Sequence, residues 1–475
     1  MAMFTGDEVL AATGGTLLGG TTGCRIQRVC TDSRKVRKGD LFVALKGARF
    51  DGHQFIDEVF TRGAKGIVLE AFPRRAKIGK PASARAARSA PFVVRVGDSL
   101  RAYQDLATFH RSRFDIPVVA VTGSNGKTTT KEMVAKTLSQ RWRLRKTAGN
   151  LNNRIGLPQT VLGLTAAHQA AVLELGVDAE GQTTRLAEIA RPTVGLITNV
   201  GNDHLEFFGN VDGSARAKAE LLAHLPRDGA VILNADDPYY DFLRHRARCA
   251  VVSFGLQGPA DVRGSHVQRQ GRRTELRLHV TGRQRSHRLS LHVHGTHNVL
   301  NALAAVAVGY VLGLSVANMA NGLSRFRPVA MRSQVSSWRG ISVIQDYYNA
   351  NPDSMKAAVT LLQEFGAGHR TIAVLGDMLE LGLETRTLHR EVGAFIAGSR
   401  ISFLIACGKF SRELARGASA EGMPSSRIFE ARRVGDAAPV LKKLVEPGDV
   451  VLLKASRAMR FESLVDALRL RPTHA

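Results

Sequence analysis

Cysteine is scarce, with four residues (Cys24, Cys30, Cys249 and Cys407) in a chain of 475. They are scattered without a CxxC spacing, which argues against a zinc site or a disulfide framework and suits a reducing cytosol. No apolar run approaches the ~20 residues that a membrane-spanning helix needs. The most apolar stretch, Ala302 to Leu314, follows Asn298 and Asn301 and predicts a buried helix. Near the N-terminus Asp7 and Glu8 stand where a secretory signal carries basic residues, and no apolar core follows. A cytoplasmic protein with no membrane insertion is therefore expected. Acidic residues are also in deficit, 41 against 66 basic, leaving a net charge of +25. Nucleic acid, anionic lipid and a strongly anionic small substrate are all drawn by such a field, so charge alone does not choose among them. Much of the surplus lies in Arg74 to Arg95 and Arg263 to Arg288. Neither stretch interleaves the aromatics that stack on bases, and both read as solvated loops or edges.

What is present is ordinary globular composition, 44% hydrophobic, in a chain long enough for two or three domains. Residues 1–97 mix short apolar runs with glycine-containing turns and predict a small α/β domain. Asp98 caps a helical pattern through Arg111, and Ile116 to Val121 reads as a buried strand. Further strands are expected at Ala170 to Leu175, Thr193 to Thr198 and Ala230 to Leu233, alternating with helical patterns. That alternation predicts a parallel sheet with crossover helices over residues 98–326. A second series, at Ile341 to Asp346, Thr371 to Leu375, Ile401 to Ala406 and Val450 to Lys454, predicts a doubly wound domain over 327–475.

The strongest local signal is strand, then Gly123-Ser124-Asn125-Gly126-Lys127-Thr128-Thr129, then a helix through Ser139. Backbone N–H groups of such a loop cradle phosphate oxygens; Lys127 can reach the terminal phosphate and Thr128 can hold Mg²⁺. Val121 occupies the place of the first glycine of the common GxxxxGK[ST] form. Three ionisable residues fall at or after the ends of the central strands, where ligands of open α/β sheets collect: Glu174, His204 and Lys218. Each alone has a plain alternative: a strand end in water, a turn histidine, a solvated helix lysine.

Taken together, Thr122 to Thr128, Gly149-Asn150-Leu-Asn-Asn153-Arg-Ile-Gly156, His204-Leu-Glu206, Gly295-Thr-His-Asn298-Val-Leu-Asn301, Asp346-Tyr-Tyr-Asn349-Ala-Asn351-Pro352, Leu375-Gly-Asp-Met378-Leu-Glu380 and Lys454-Ala-Ser456-Arg457 resemble the Mur ligase family over the whole chain. The resemblance implies three domains: a small N-terminal α/β domain for the uridine nucleotide, a central P-loop parallel-sheet ATPase domain and a C-terminal Rossmann-like domain. It implies ATP and two Mg²⁺ as cofactors, with Thr128, Glu174, His204 and a carbamylated Lys218 as metal ligands. Asn298 and Asn301 are implied at the adenine, Arg332 at the terminal phosphate and Asp346 at the ribose. Lys127, Lys218, His204 and Arg332 are implied as catalytic. Ser33, Lys46, Asp51 and His53, with Asn150, Asn153, Asn349 and Asn351, are implied to bind substrates, although Asp32-Ser33-Arg34 and Asp51-Gly52-His53 read equally well as turns. Asp203, directly before His204, departs from the small residues common there and bears on the second metal's surroundings.

The implied activity is amide formation, ATP phosphorylating the carboxylate of UDP-N-acetylmuramoyl-tripeptide before D-alanyl-D-alanine attacks, by a monomer that binds no nucleic acid. Nucleotide contacts would then divide between two domains joined near Phe326-Arg327-Pro328, and closure would exclude water from the acyl phosphate. Three rivals share the loop. They are a ligase adding the third amino acid to the UDP-dipeptide, a folylpolyglutamate synthase, and a nucleic-acid-dependent P-loop ATPase invited by the charge.

Overall fold

The computed structural model describes residues 3–47, 50–72, 91–271, 273–283 and 285–469. Most of the basic stretch from Arg74 to Arg95 lies outside the described residues. The chain divides into two compact units, the first made of Met1–Val118, Arg145–Leu175 and Arg185–Arg191, the second of the remainder.

In the first unit, five short strands order as Thr16–Gly19, Phe92–Arg95, Gly66–Leu69, Asp40–Val43 and Arg28–Cys30. All neighbours are parallel except the first pair. The runs Leu41-Phe42-Val43 and Ile67-Val68-Leu69 are buried throughout, as strands covered on both faces must be. Phe42, Ile67 and Val93 meet Ile56 and Val59 of the helix Ile56–Thr61 in one core. Asp98 caps the helix Ser99–Arg111 by accepting from the Arg101 amide, as the sequence predicts.

In the second unit, the parallel strands Val118–Thr122, Val194–Ile197, Ala230–Asn234 and Ala250–Gly255 lie side by side. Val262–Gln270 joins the last of them in parallel, and Arg273–Val280 and His287–Leu291 continue the sheet antiparallel. Here the expectation of a solvated loop or edge at Arg263 to Arg288 is corrected: two of its strands are paired on both sides, and only His287–Leu291 lies at the sheet's edge. Thr274, Leu276, Leu278 and Val280 alternate inward and Arg273 and Arg277 outward, so a period of two lies beneath the charge. The apolar stretch after Asn301 is indeed a buried helix, Thr296–Val311. Among the described residues no helix is long and apolar enough to cross a membrane.

The same unit carries a six-stranded sheet ordered Gln334–Trp338, Ile341–Gln345, Val450–Lys454, Thr371–Leu375, Phe403–Cys407 and Ile428–Ala431. Only its first pair is antiparallel. The last strand in sequence enters between the second and third. The loops that follow Gln345, Leu375 and Lys454 therefore emerge together at the carboxyl ends of adjacent strands, where an open α/β sheet places its ligands.

Candidate active site

The phosphate loop is shaped by a neighbouring strand. Thr122 pairs with Ile197, which brings the turn after each strand against the other. Asn199 accepts from the Asn125 amide through Oδ1 (2.9 Å) and from the Ser124 amide through its carbonyl (2.9 Å). Those two amides, expected at the phosphates, are thus committed to holding the loop open. Gly123, at φ 137°, lies where a Cβ would be 2.0 Å from Thr198 Oγ1. The helix Lys127–Leu138 starts from Gly126 with no side-chain cap, so its first-turn amides are directed out of its positive end, the arrangement that takes up phosphate. Lys127 Nζ folds back over the loop, donating to the carbonyls of Gly123 (2.5 Å) and Ser124 (3.1 Å). Thr128 and Thr129 are buried in the first turn.

Gly126 is left-handed, φ 80°, and an added Cβ would meet Asn301 Oδ1 at 2.5 Å. Asn301 cannot yield readily, because that oxygen accepts from Thr130 (3.0 Å) and its amide reaches Asn298 Oδ1 (3.3 Å). Gly126→Ala is therefore expected to weaken binding of an ATP analogue at least about tenfold by titration calorimetry, the left-handed penalty of a Cβ being about 1–2 kcal/mol.

Beside the loop lies a buried charged cluster that the sequence half revealed. Lys218 is fully buried on the helix Val211–Ala219. Its Nζ donates to both oxygens of Asp203 (3.0 and 3.2 Å) and to Ser214 Oγ (2.5 Å). Ser124 and Ser214 also donate to Asp203 Oδ1, at 2.6 and 2.7 Å. Burial disfavours the Asp203 carboxylate, but Lys218, Lys127 and the two hydroxyls outweigh it and hold the group at about 2. For Lys218 burial prevails over the attraction of Asp203 and lowers the ammonium below its ordinary range. Among the described residues no three His, Cys, Asp or Glu side chains gather to hold a metal.

The C-terminal sheet reaches this site at three points. Asn351 Nδ2 donates to Asn125 Oδ1 (3.0 Å) while its Oδ1 caps the helix Pro352–Phe365. Asp353 accepts from the Asn202 amide (2.7 Å). His204 Nδ1 lies 2.6 Å from Glu380 Oε2. Asp346 Oδ2 is paired with Lys454 Nζ (2.7 Å), which also donates to the Asn349 carbonyl (3.1 Å), and Asp346 Oδ1 accepts from the Ser333 amide (2.9 Å). Arg332 stacks on Tyr348, 3.9 Å from the ring centroid.

In the first unit Glu174 ends a fully buried strand, Ala170–Glu174, and accepts from Asn152 Nδ2 at 2.8 Å. Asn153 Oδ1 accepts the Ile155 and Gly156 amides (3.1 and 2.9 Å), and Asn150 is exposed. Asp32 and Asp51 each cap a short 3-10 turn, Ser33–Lys35 and Gly52–Phe55, as the turn reading requires. Both ring nitrogens of His53 are engaged, one with Asp51 Oδ1 (2.6 Å) and one with the Glu70 amide (3.0 Å). Lys46 bridges to Asp51 along the backbone.

Three family models match the chain: Mur ligase family, catalytic domain, over 25–108; Mur ligase middle domain, over 121–309; and Mur ligase, glutamate ligase domain, over 331–457. The UDP-N-acetylmuramoyl-tripeptide–D-alanyl-D-alanine ligase of Bacillus subtilis is 36% identical over 444 residues, 93% of each chain. A crystal structure of MurF from Acinetobacter baumannii superposes with a TM-score of 0.89 at 32% identity, covering 98% of both chains. MurF ligase from Thermotoga maritima, in complex with ADP, gives 0.82 at 29% identity, over 93% of this chain and 97% of that one.

Proposed function

This chain belongs to the Mur ligase family, an α/β three-domain architecture of ATP-dependent ligases that form C–N bonds, and we propose that it joins D-alanyl-D-alanine to UDP-N-acetylmuramoyl-tripeptide in the cytoplasm. The product is the UDP-linked pentapeptide of peptidoglycan synthesis. What carries the reading is full-length similarity to ligases of that name, together with Asn351 of the C-terminal sheet lying against Asn125 of the phosphate loop. The domain limits 1–97, 98–326 and 327–475 and a monomeric state belong to the same proposal.

A carboxylate is a poor electrophile, and transfer of the ATP γ-phosphoryl to it creates an acyl phosphate with a good leaving group. The dipeptide amine attacks that carbonyl, phosphate departs, and the amine sheds a proton. Lys127 and Arg332 offset charge on the transferring phosphoryl, the central catalytic task in such reactions. Asn298 and Asn301 are assigned to the adenine and Asp346 to the ribose, the latter requiring exchange of its present partners. Ser33, Lys46, Asp51, His53, Asn150, Asn153, Asn349 and Asn351 keep their proposed substrate roles.

Thr128 and Glu174 supply oxygen donors of the kind Mg²⁺ prefers, and His204 an imidazole nitrogen. Bound Mg²⁺ would stabilise the charge on the phosphates. Lys218 fits only after carbamylation, which requires its amine to leave Asp203.

Phosphate release is expected with UDP-N-acetylmuramoyl-tripeptide plus D-alanyl-D-alanine, and not with either alone. Release only with the UDP-dipeptide plus a diamino acid would reassign the chain to the preceding step, and stimulation by a polynucleotide would favour the ATPase.

A further inference from the structure

His204 stands in the left-handed backbone region, φ 50°, just before the short helix Leu205–Phe208. Glu380, in the loop leaving the strand Thr371–Leu375, is left-handed too, φ 62°. Residues with a Cβ are strained there and persist only where their surroundings impose the conformation, commonly at functional positions. These two strained residues meet. Glu380 Oε2 is 2.6 Å from His204 Nδ1, and the Glu380 carbonyl accepts from the Glu206 amide at 3.1 Å. One residue of the C-terminal sheet thus grips both the ring of His204 and the helix that follows it.

The loop carrying Glu380 is itself fixed from below. The Met378 amide donates to Nε2 of the buried His389 (3.1 Å), and the Leu379 amide to Ser456 Oγ (3.0 Å). Stability does not account for the pair, because the Glu380 side chain is 49% exposed and solvent-exposed polar contacts of this kind contribute little to folding.

We propose that Glu380 is a positioning residue for His204. It accepts Nδ1–H, fixes that tautomer and the ring's orientation, and leaves Nε2 as the ring's one ligand atom. A carboxylate behind an imidazole in this way tunes a metal site from outside it. Because the carboxylate comes from the C-terminal sheet, seating that sheet and readying His204 become one event. The inference rests on the reading of His204 as a Mg²⁺ ligand.

The test uses the full chain with a non-hydrolysable ATP analogue and Mn²⁺ as the probe, followed by electron paramagnetic resonance. Glu380→Ala is expected to raise the Mn²⁺ dissociation constant about 10–100-fold and lower kcat by a similar factor, with KM for the UDP substrate and the melting temperature unchanged. Glu380→Gln, whose amide oxygen still accepts from Nδ1–H, should recover most of both. In a His204→Ala background, Glu380→Ala should add nothing further. Parent-like Mn²⁺ binding by Glu380→Ala overturns the proposal, as does full additivity with His204→Ala or a Glu380→Gln no better than Glu380→Ala. A parent that releases no phosphate with the proposed substrates would sink the functional reading instead, and the Mn²⁺ titration would still judge Glu380.

Discussion

A Lys127→Met variant is expected to fold and to bind nucleotide, yet to release phosphate at least about a thousandfold more slowly than the parent. That factor corresponds to about 4 kcal/mol of lost transition-state stabilisation. The Lys127 ammonium now rests on the carbonyls of Gly123 and Ser124, a short reach from wherever the helix Lys127–Leu138 seats a phosphate. Methionine keeps the unbranched stem and its packing while removing the charge. The loss should therefore fall on kcat, with nucleotide affinity reduced far less. Single-turnover phosphate release beside a nucleotide titration separates the two, and a kcat within tenfold of the parent would remove Lys127 from the phosphoryl-transfer machinery.

Why Lys127 could be singled out from sequence, and its surroundings could not, follows from the range of the interactions. Strand, glycine loop and helix are contiguous, so one stretch of chain reveals the phosphate loop. The parallel strands are nearly as legible, because burial on both faces writes an apolar run such as Val118–Thr122 or Val194–Ile197. The partners that shape the site are distant. Asn199 holds the loop only because Ile197 stands in register with Thr122. Glu380 meets His204 across 176 positions. Neither residue type nor spacing announces such a contact. The hairpin strands Val262–Gln270 and Arg273–Val280 escaped for another reason: arginines on the outer face masked an alternation present in Thr274, Leu276 and Leu278. Asp203 was visible as an oddity beside His204, but its meaning needed the helix Val211–Ala219 to bring Lys218 against it.

That pair yields the largest expected change in stability. Asp203→Ala leaves the Lys218 ammonium buried without its carboxylate, a loss of about 3–5 kcal/mol for a broken buried pair. Asp203→Leu combined with Lys218→Met removes both charges and should regain most of it, at the cost of activity. The dependence on pH has a definite sign. The folded Asp203 carboxyl, at about 2, lies below the ordinary value of about 3.9. Its contribution is therefore complete above pH ~4 and fades as the pH falls through the folded value. Urea midpoints of parent and Asp203→Ala should accordingly stand apart at neutral pH and converge toward pH 2, and a gap unchanged over that range would refute the pairing. The same carboxylate bears on the chemistry proposed for Lys218. Carbamylation needs a neutral amine; burial favours that form while Asp203 opposes it. Asp203 thus stabilises the fold with the very contact that Lys218 must give up to become a metal ligand.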